Sequence, residues 1–177
     1  ICLPIGSEDK FKGIVDLIAM KAFVFADNKG AAKPSDIPAD LMEEANTMRA
    51  SMVEDIAEAD EDLMNKYLEE GELSAEELKT GLRKGVMAGG IVPLICGSAT
   101  KGIGVSLLMD LVASSFASPV DRGPVKGKKP GTDTVEERKP SEDDPFSAIV
   151  FKTIADPYAG RLTLFRVYSG KLNSDSV

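Results

Sequence analysis

Residues 91–101, IVPLICGSATK, constrain the fold more than any other stretch of the sequence. Five of the first six residues are apolar, Gly97-Ser98-Ala99 is typical of a turn, and a helical pattern starts at Val105. A continuous apolar run followed by a turn and a helix is the pattern of a buried parallel strand that delivers a loop to a ligand site. The stretch therefore predicts an α/β strand–loop–helix unit over residues 91–117.

Strand patterns lie at the start of the chain. Residues 11–25, FKGIVDLIAMKAFVF, are rich in β-branched and aromatic side chains and predict two strands with a bend near residues 19–21. The segment ICLPI predicts a third strand. Residues 26–36, ADNKGAAKPSD, are predicted to form a loop.

A long helix is predicted to begin at Pro38, where the missing N–H group costs nothing. Apolar residues then recur at spacings of three and four: Leu41, Ala45, Met48, Met52, Ile56, Ala59 and Leu63. If the helix continues through Glu61, then Glu54, Glu58 and Glu61 lie on the opposite face, and we call these three residues the acidic ridge. Glu54 and Glu58 have no basic residue in register, so they repel each other. The ridge is either a solvated helix face or a surface for a basic partner.

A second helix is predicted from the motif ELSAEEL at residues 72–78. Ser74 and Glu77 have the spacing of a capping box, and the helix is predicted to end at Gly89-Gly90. Its core residues are predicted to be Leu78, Leu82 and Val86. Residues 1–90 thus form one predicted subdomain, in which strands precede acidic helices.

The sequence pattern changes after residue 117 and again after residue 145. Residues 118–145 are rich in Pro, Gly, Lys and Glu without periodicity, which predicts a linker. From Phe146 the apolar pattern has period two, which predicts two strands joined at residues 157–160 and the start of an antiparallel barrel or sandwich. Because two strands are marginal alone, residues 146–177 are expected to belong to a larger domain.

Composition excludes several kinds of chemistry. Histidine is absent, which removes Ser–His–Asp and Cys–His catalysis and the commonest metal ligand. Cys2 and Cys96 lie far apart in sequence and are expected to be free thiols, and no Cys-x-x-Cys zinc motif occurs. A metal-dependent enzyme that uses residues 60–62, Asp-Glu-Asp, is disfavoured because consecutive helical side chains point in different directions. No apolar run approaches the ~20 residues that span a bilayer.

The net charge of −8 is concentrated in one segment. Residues 39–79 contain 14 acidic and 3 basic residues, a charge of −11, so the remainder carries −8 + 11 = +3. Direct contact between the acidic helices and nucleic acid is therefore not expected, because such a surface repels phosphate. A free-standing acidic adaptor for basic proteins is the alternative that charge alone supports.

The order of these segments resembles elongation factor G, a translational GTPase. LPIGSEDKFKGIVDLIAMKA resembles the start of its inserted G′ subdomain, GIVPLICGSA its fifth guanine-binding motif, and DPFSAIVFKTIADPYAGRLTLFRVYSGKL the opening of domain II. The resemblance implies an α+β chain: G′ over residues 1–90, an α/β G-domain remnant over 91–117, a linker over 118–145, and the first strands of an antiparallel β-barrel over 146–177. Some sequence features are closer to paralogues of elongation factor G than to the main translocase. The resemblance therefore does not distinguish between the translocase, a ribosome-recycling variant and a ribosome-protection protein.

The resemblance implies that the chain is an internal fragment without the catalytic motifs. No phosphate loop G-x-x-x-x-G-K-[ST] occurs, and residues 27–30, Asp-Asn-Lys-Gly, are interpreted as a chance match to D-x-x-G. The backbone at Ala99 is expected to face guanine, Ser98 to brace the loop, and Thr100 to replace a bulkier family residue. GTP and Mg²⁺ are then cofactors of the parent GTP hydrolase, and the fragment itself has no cofactor or metal.

The resemblance also implies a partner for the acidic ridge. In elongation factor G the first G′ helix faces the C-terminal domain of the ribosomal stalk protein, and Glu54, Glu58 and Glu61 match its outward acidic positions. The expected role is therefore that of a cytoplasmic ribosome-dependent factor that promotes translocation in protein synthesis. Incomplete sheets are expected to cause self-association of the fragment.

Overall fold

The computed structural model describes residues 1–25, 32–129 and 131–174 and divides into two compact units, Ile1–Phe116 and Ala117–Val177. The first unit contains an antiparallel sheet in sequential order. Its strands are β1 (Cys2–Ile5), β2 (Gly13–Asp16), β3 (Lys21–Val24) and β4 (Lys33–Ser35). The three strands predicted from residues 1–25 are confirmed.

The predicted loop over residues 26–36 is wrong at its end, because Lys33–Ser35 forms β4. Lys33 pairs with Val24, and Ser35 pairs with Ala22. Pro34 cannot donate to a ladder, which confines it to a sheet edge, and β4 is the edge strand here. Such a short strand with a central proline has no strand signature in the sequence.

The described helices of the first unit are α1 (Met42–Ala57), α2 (Glu61–Glu70), α3 (Ala75–Ala88) and α4 (Val105–Ser115). The prediction of one helix from Pro38 through Glu61 is wrong. Residues 39–41 form a 3₁₀ turn, and Asp60 leaves the helical conformation at φ −153° and starts α2. Glu61 therefore belongs to a different helix from Glu54.

The predicted apolar stripe is also shifted. Met48 is 45% exposed, whereas Val53 and Ala57 are buried. A single straight helix can bury one stripe, but α1 packs against both α2 and α3, so its buried face is wider than the predicted one.

Helix α3 follows its sequence signals closely. Ser74 and Glu77 form the predicted capping box, and Gly89 ends the helix at φ 76°. Leu78 and Leu82 are buried in the main core, whereas Val86 is partly buried against it. Each fully buried leucine contributes roughly 1.5–3 kcal/mol to folding, so α3 is a major source of stability for the first unit.

The predicted parallel strand over residues 91–96 is not formed. Val92 and Leu94 are 80% and 76% exposed, and residues 91–96 pair with no strand among the described residues. An apolar run becomes a strand when a neighbouring strand satisfies its backbone. The helix predicted after it is confirmed as α4.

The second unit consists of two hairpins. Strands β5 (Val125–Lys128) and β6 (Val135–Arg138) pair with each other, as do β7 (Ser147–Asp156) and β8 (Gly160–Ser169). The predicted linker over 118–145 is thus partly a hairpin. Its strands pair through the backbone, and exposed ion pairs such as Lys126–Glu137 and Lys128–Asp133 accompany the ladder in place of apolar alternation. Strands β7 and β8 are confirmed, and no barrel closes among the described residues.

The structure is therefore a mixed α+β fold of helices and small antiparallel sheets. Within the described ranges, none of the helices has the length and apolar composition that crossing a bilayer requires.

Candidate functional site

The loop after residue 96 is a tight turn with an exposed tip. The Ser98 N–H donates to the Ile103 carbonyl at 2.9 Å, and the Ile103 N–H donates to the Ser98 carbonyl at 3.0 Å. The Gly102 N–H closes the tip on the Ala99 carbonyl at 3.3 Å. The tip contains Ala99 and Thr100, and both are exposed.

Two glycines allow the base of this loop to pack closely. A Cβ atom on Gly104, whose φ is 78°, would lie 2.5 Å from Ile14 Cδ1 and 2.8 Å from the Cys96 carbonyl oxygen. A Cβ atom on Gly97 would lie 2.9 Å from the Ile103 carbonyl oxygen. The loop base is therefore fixed against β2, and the tip projects from it.

The three predicted loop residues lie together at this tip. Ser98 is half-buried, and its hydroxyl lies 3.5 Å from the Thr100 hydroxyl. A single backbone donor at Ala99 is worth about 1 kcal/mol to a ligand. One such contact is too weak to hold a nucleotide by itself.

The acidic ridge spans two helices instead of one. Glu54 lies within α1, Glu58 caps the C-terminal end of α1, and Glu61 begins α2. All three side chains are exposed. Glu58 and Glu61 line one open depression of about 460 Å³, together with Asp60, Met64 and Asn65.

Glu54 lies one turn before Glu58 on α1 and faces α2. Its Oε1 accepts a hydrogen bond of 3.4 Å from the Tyr67 hydroxyl. The structure thus brings Glu58 and Glu61 together, and it adds Tyr67 to the surface near Glu54. Sequence reasoning missed Tyr67, because a helix taken as unbroken hides the return of α2 along α1.

None of the three ridge carboxylates pairs with a Lys or Arg side chain in the part of the chain that the structure describes. The nearby lysine side chains form ion pairs with other carboxylates. Lys66 Nζ lies 2.6 Å from Glu77 Oε1 and 3.6 Å from Glu70 Oε2, and Lys84 pairs with Asp60. The ridge is therefore an unneutralised negative surface.

The two ion pairs that involve helix caps tie α2 to α3. Asp60, the N-cap of α2, pairs with Lys84 of α3, while Glu77 in the first turn of α3 pairs with Lys66 of α2. We call them the crossed caps. They involve residues far apart in sequence, so no local signal predicts them.

The crossed caps shift the pKa values of their members. The Lys66 ammonium, followed by the Ser74 hydroxyl and N–H, lowers the pKa of Glu77 to about 2. Hydrogen bonds from Lys84 and from the Leu63 N–H lower the pKa of Asp60. Hydrogen bonds to these carboxylates also raise the pKa values of Lys66 and Lys84. These charges connect α3 to α2, the helix on which Glu61 of the ridge lies.

The acidic residues 60–62 do not form a metal centre in the described structure. Asp60 Oδ1 accepts a hydrogen bond from the Leu63 N–H at the start of α2, and Oδ2 accepts one from Lys84 of α3, so both oxygens are already paired. Within the described ranges no group of three or more Cys, Asp or Glu side chains has metal-binding geometry. The D-x-x-G-like residues 27–30 lie outside the described residues.

The two cysteines are free thiols, as predicted. Their meeting in the fold was not predicted. Cys2 Sγ and Cys96 Sγ lie 3.3 Å apart, and the Cys96 N–H donates to Cys2 Sγ at 3.1 Å. Residue 96 directly precedes the loop, so this contact links β1 to the loop base.

Comparison with known proteins supports the fold and leaves the function open. No family model matches the sequence. A crystal structure of a protein from Thermus thermophilus is similar, with a TM-score of 0.72 and 28% sequence identity. The match covers 97% of this chain and 23% of that chain. This chain therefore aligns with less than a quarter of the Thermus protein.

Proposed function

We propose that this chain is a non-catalytic part of a ribosome-dependent translational GTPase of the elongation factor G type. Its acidic ridge would dock the C-terminal domain of the ribosomal stalk protein. The observation that carries the proposal is the exposed, unneutralised set of Glu54, Glu58 and Glu61 on the α1–α2 pair. The segment order that resembles the family supports it.

The geometry suits electrostatic docking. Helix α1 packs against both α2 and α3, so the ridge is presented on preorganised helices and little ordering is needed on binding. Exposed carboxylates mainly raise the rate of encounter with a basic partner, and salt weakens the effect. Binding at the ridge would leave the loop at residues 98–100 free.

GTP and Mg²⁺ belong to the whole factor in this proposal. The sequence contains no phosphate loop, and the loop tip offers guanine one backbone donor, too little to retain a nucleotide. The parent protein would hydrolyse GTP in the cytoplasm and promote translocation of tRNA and mRNA. This chain would contribute the stalk contact and one edge of the base site.

An NMR titration of the 177-residue chain with the stalk C-terminal domain tests the proposal. We expect saturable shifts centred on Glu54, Glu58, Glu61 and Tyr67 that fade as salt is raised. The triple variant Glu54→Gln/Glu58→Gln/Glu61→Gln should weaken binding about tenfold, since each exposed pair is worth roughly 0.2–1 kcal/mol. Addition of GTP to the same sample should shift no resonance.

The matched control is Glu43→Gln/Glu44→Gln/Glu69→Gln, which removes the same charge from exposed positions outside the ridge. It should bind within twofold, roughly, of the unchanged chain. Equal weakening by both triple variants would contradict a localised site. Equally tight binding to an unrelated basic protein would favour the acidic adaptor instead.

A further inference from the structure

The fold brings together two thiols that are 94 residues apart in sequence. Cys2 lies in β1, and Cys96 lies immediately before the loop at residues 97–104. Their sulfur atoms are 3.3 Å apart, and the backbone N–H of Cys96 also donates to the Cys2 sulfur at 3.1 Å. Both residues are half-buried and free, and the proposed stalk contact uses neither.

We propose that Cys2 and Cys96 form a redox modification site, a dithiol that a small disulfide such as oxidised glutathione converts to an intramolecular disulfide. A disulfide requires a sulfur–sulfur distance of about 2.05 Å, so the two side chains must approach from 3.3 Å. A change of this size is within the reach of side-chain rotation, and residue 96 belongs to no strand that would resist it.

Cys2 opens onto a groove of the first unit that Cys96 does not line. It lines an open groove of about 690 Å³ whose apolar wall includes Phe23, Leu107 and Leu111. One half of oxidised glutathione, which is the size of a tripeptide and carries the attacked sulfur, fits a groove of this volume. Cys2 can therefore meet a small disulfide without unfolding of the first unit.

Cys2 is also the better nucleophile. The contact with the Cys96 thiol, together with the Cys96 N–H, lowers the pKa of Cys2 to about 6 despite burial and the nearby Asp16 carboxylate. The same contact raises the pKa of Cys96. Since the thiolate is the reactive form, Cys2 attacks first.

The reaction is a balanced exchange in two steps. The Cys2 thiolate attacks one sulfur of oxidised glutathione, forms a mixed disulfide and releases one glutathione thiolate, which takes up a proton. Cys96 then loses its proton and attacks the Cys2 sulfur, displacing the second glutathione. Two protein thiols are oxidised, and one oxidised glutathione is reduced to two thiols.

The new bond would add a covalent tie between β1 and the segment that leads into the loop. Residues 91–96 have no strand partner among the described residues, and Val92 and Leu94 are exposed. A cross-link at residue 96 ties this segment to β1 and restricts the loop that begins at Gly97. Oxidation thus couples thiol redox state to the mobility of the loop at residues 98–100.

The test incubates the full chain with oxidised glutathione and maps its peptides by mass spectrometry without reduction. We expect a monomer that has lost two hydrogen masses, with residues 2 and 96 cross-linked. The melting temperature should rise by about 5–15 °C, and amide exchange at residues 95–97 should slow at least tenfold, roughly. Dithiothreitol should reverse all three changes.

Single variants supply the controls. Cys2→Ser and Cys96→Ser cannot close the bond, and Cys96→Ser should retain glutathione at Cys2 as a stable mixed disulfide. Circular dichroism of each variant establishes that the fold is intact. The inference is overturned if the unchanged chain also stops at mixed disulfides, or if its disulfides join separate molecules.

Discussion

A Cβ atom at position 104 would collide with two atoms of the first unit. Gly104 has φ 78°, and the added carbon would lie 2.5 Å from Ile14 Cδ1 and 2.8 Å from a backbone oxygen. Gly89 has nearly the same φ, 76°, but an added Cβ there would meet nothing within 4 Å. Comparing substitutions at the two glycines therefore separates the free-energy cost of a left-handed backbone from the cost of steric overlap.

We expect Gly104→Ala to lower the free energy of unfolding by about 2–4 kcal/mol, since the left-handed conformation costs roughly 1–2 kcal/mol and overpacking adds the rest. Gly89→Ala should cost about 1 kcal/mol. Urea unfolding followed by circular dichroism gives both values. Equal losses in the two variants would show that the loop base yields to the added methyl group.

The same contrast shows which roles of single residues can be predicted from the sequence. Ser74, Glu77 and Gly89 were predicted from sequence because a cap and a helix stop depend on residues a few positions apart. The crowding at Gly104 depends on Ile14, which is far away in sequence, so it had no local signature. The meeting of Cys2 and Cys96 was hidden for the same reason.

At the scale of elements, the crossed caps make the α2–α3 pair sensitive to acid. The folded pKa of Glu77, about 2, lies below its ordinary value of 4.5. A carboxyl group with a depressed folded pKa stabilises the fold above its ordinary pKa, and this contribution is lost as the pH falls. The loss is therefore expected between pH 4.5 and about 2.

Glu77→Gln keeps a side chain that can complete the capping box but removes the charge that pairs with Lys66. We expect the variant to be less stable than the unchanged chain above pH 4.5 and to match it near pH 2. Urea midpoints across this range measure the difference. Glu72→Gln, which removes an exposed carboxylate outside the crossed caps, should show no such convergence, and parallel curves for Glu77→Gln would contradict the assignment.

Elements whose stability is local were predicted well, and those that depend on partners were not. Helix α3 carries its own cap and stop signals. The break between α1 and α2 follows from the N-cap at Asp60, a signal that the apolar repeat through Leu63 obscured. The strand predicted over residues 91–96 had the right composition, but strand formation depends on a neighbour that composition does not supply.

At the scale of the whole molecule, the hairpin of β7 and β8 in the second unit exposes large apolar side chains. Val150, Phe151 and Phe165 are 58%, 65% and 40% exposed. Exposed apolar strands pair with other chains. We therefore expect the 177-residue chain to self-associate reversibly, with a sedimentation coefficient that rises with concentration.

Phe151→Glu should raise the dissociation constant of this self-association about tenfold or more, because burying a phenylalanine contributes roughly 1.5–3 kcal/mol. Tyr158→Glu is the control, since Tyr158 is 99% exposed at the turn between β7 and β8 and lies outside both strands. A single sedimenting species at all concentrations would refute the prediction.

The crossed caps also limit how this region can change by substitution. Asp60 and Lys84 each belong to one helix and stabilise the other, and the same holds for Glu77 and Lys66. Loss of one member removes an ion pair between the helices and weakens a helix that the substitution does not touch. Evolutionary drift at these four positions is therefore expected to proceed by compensated exchanges, acid with base, while the ridge beside them is free to vary with its partner.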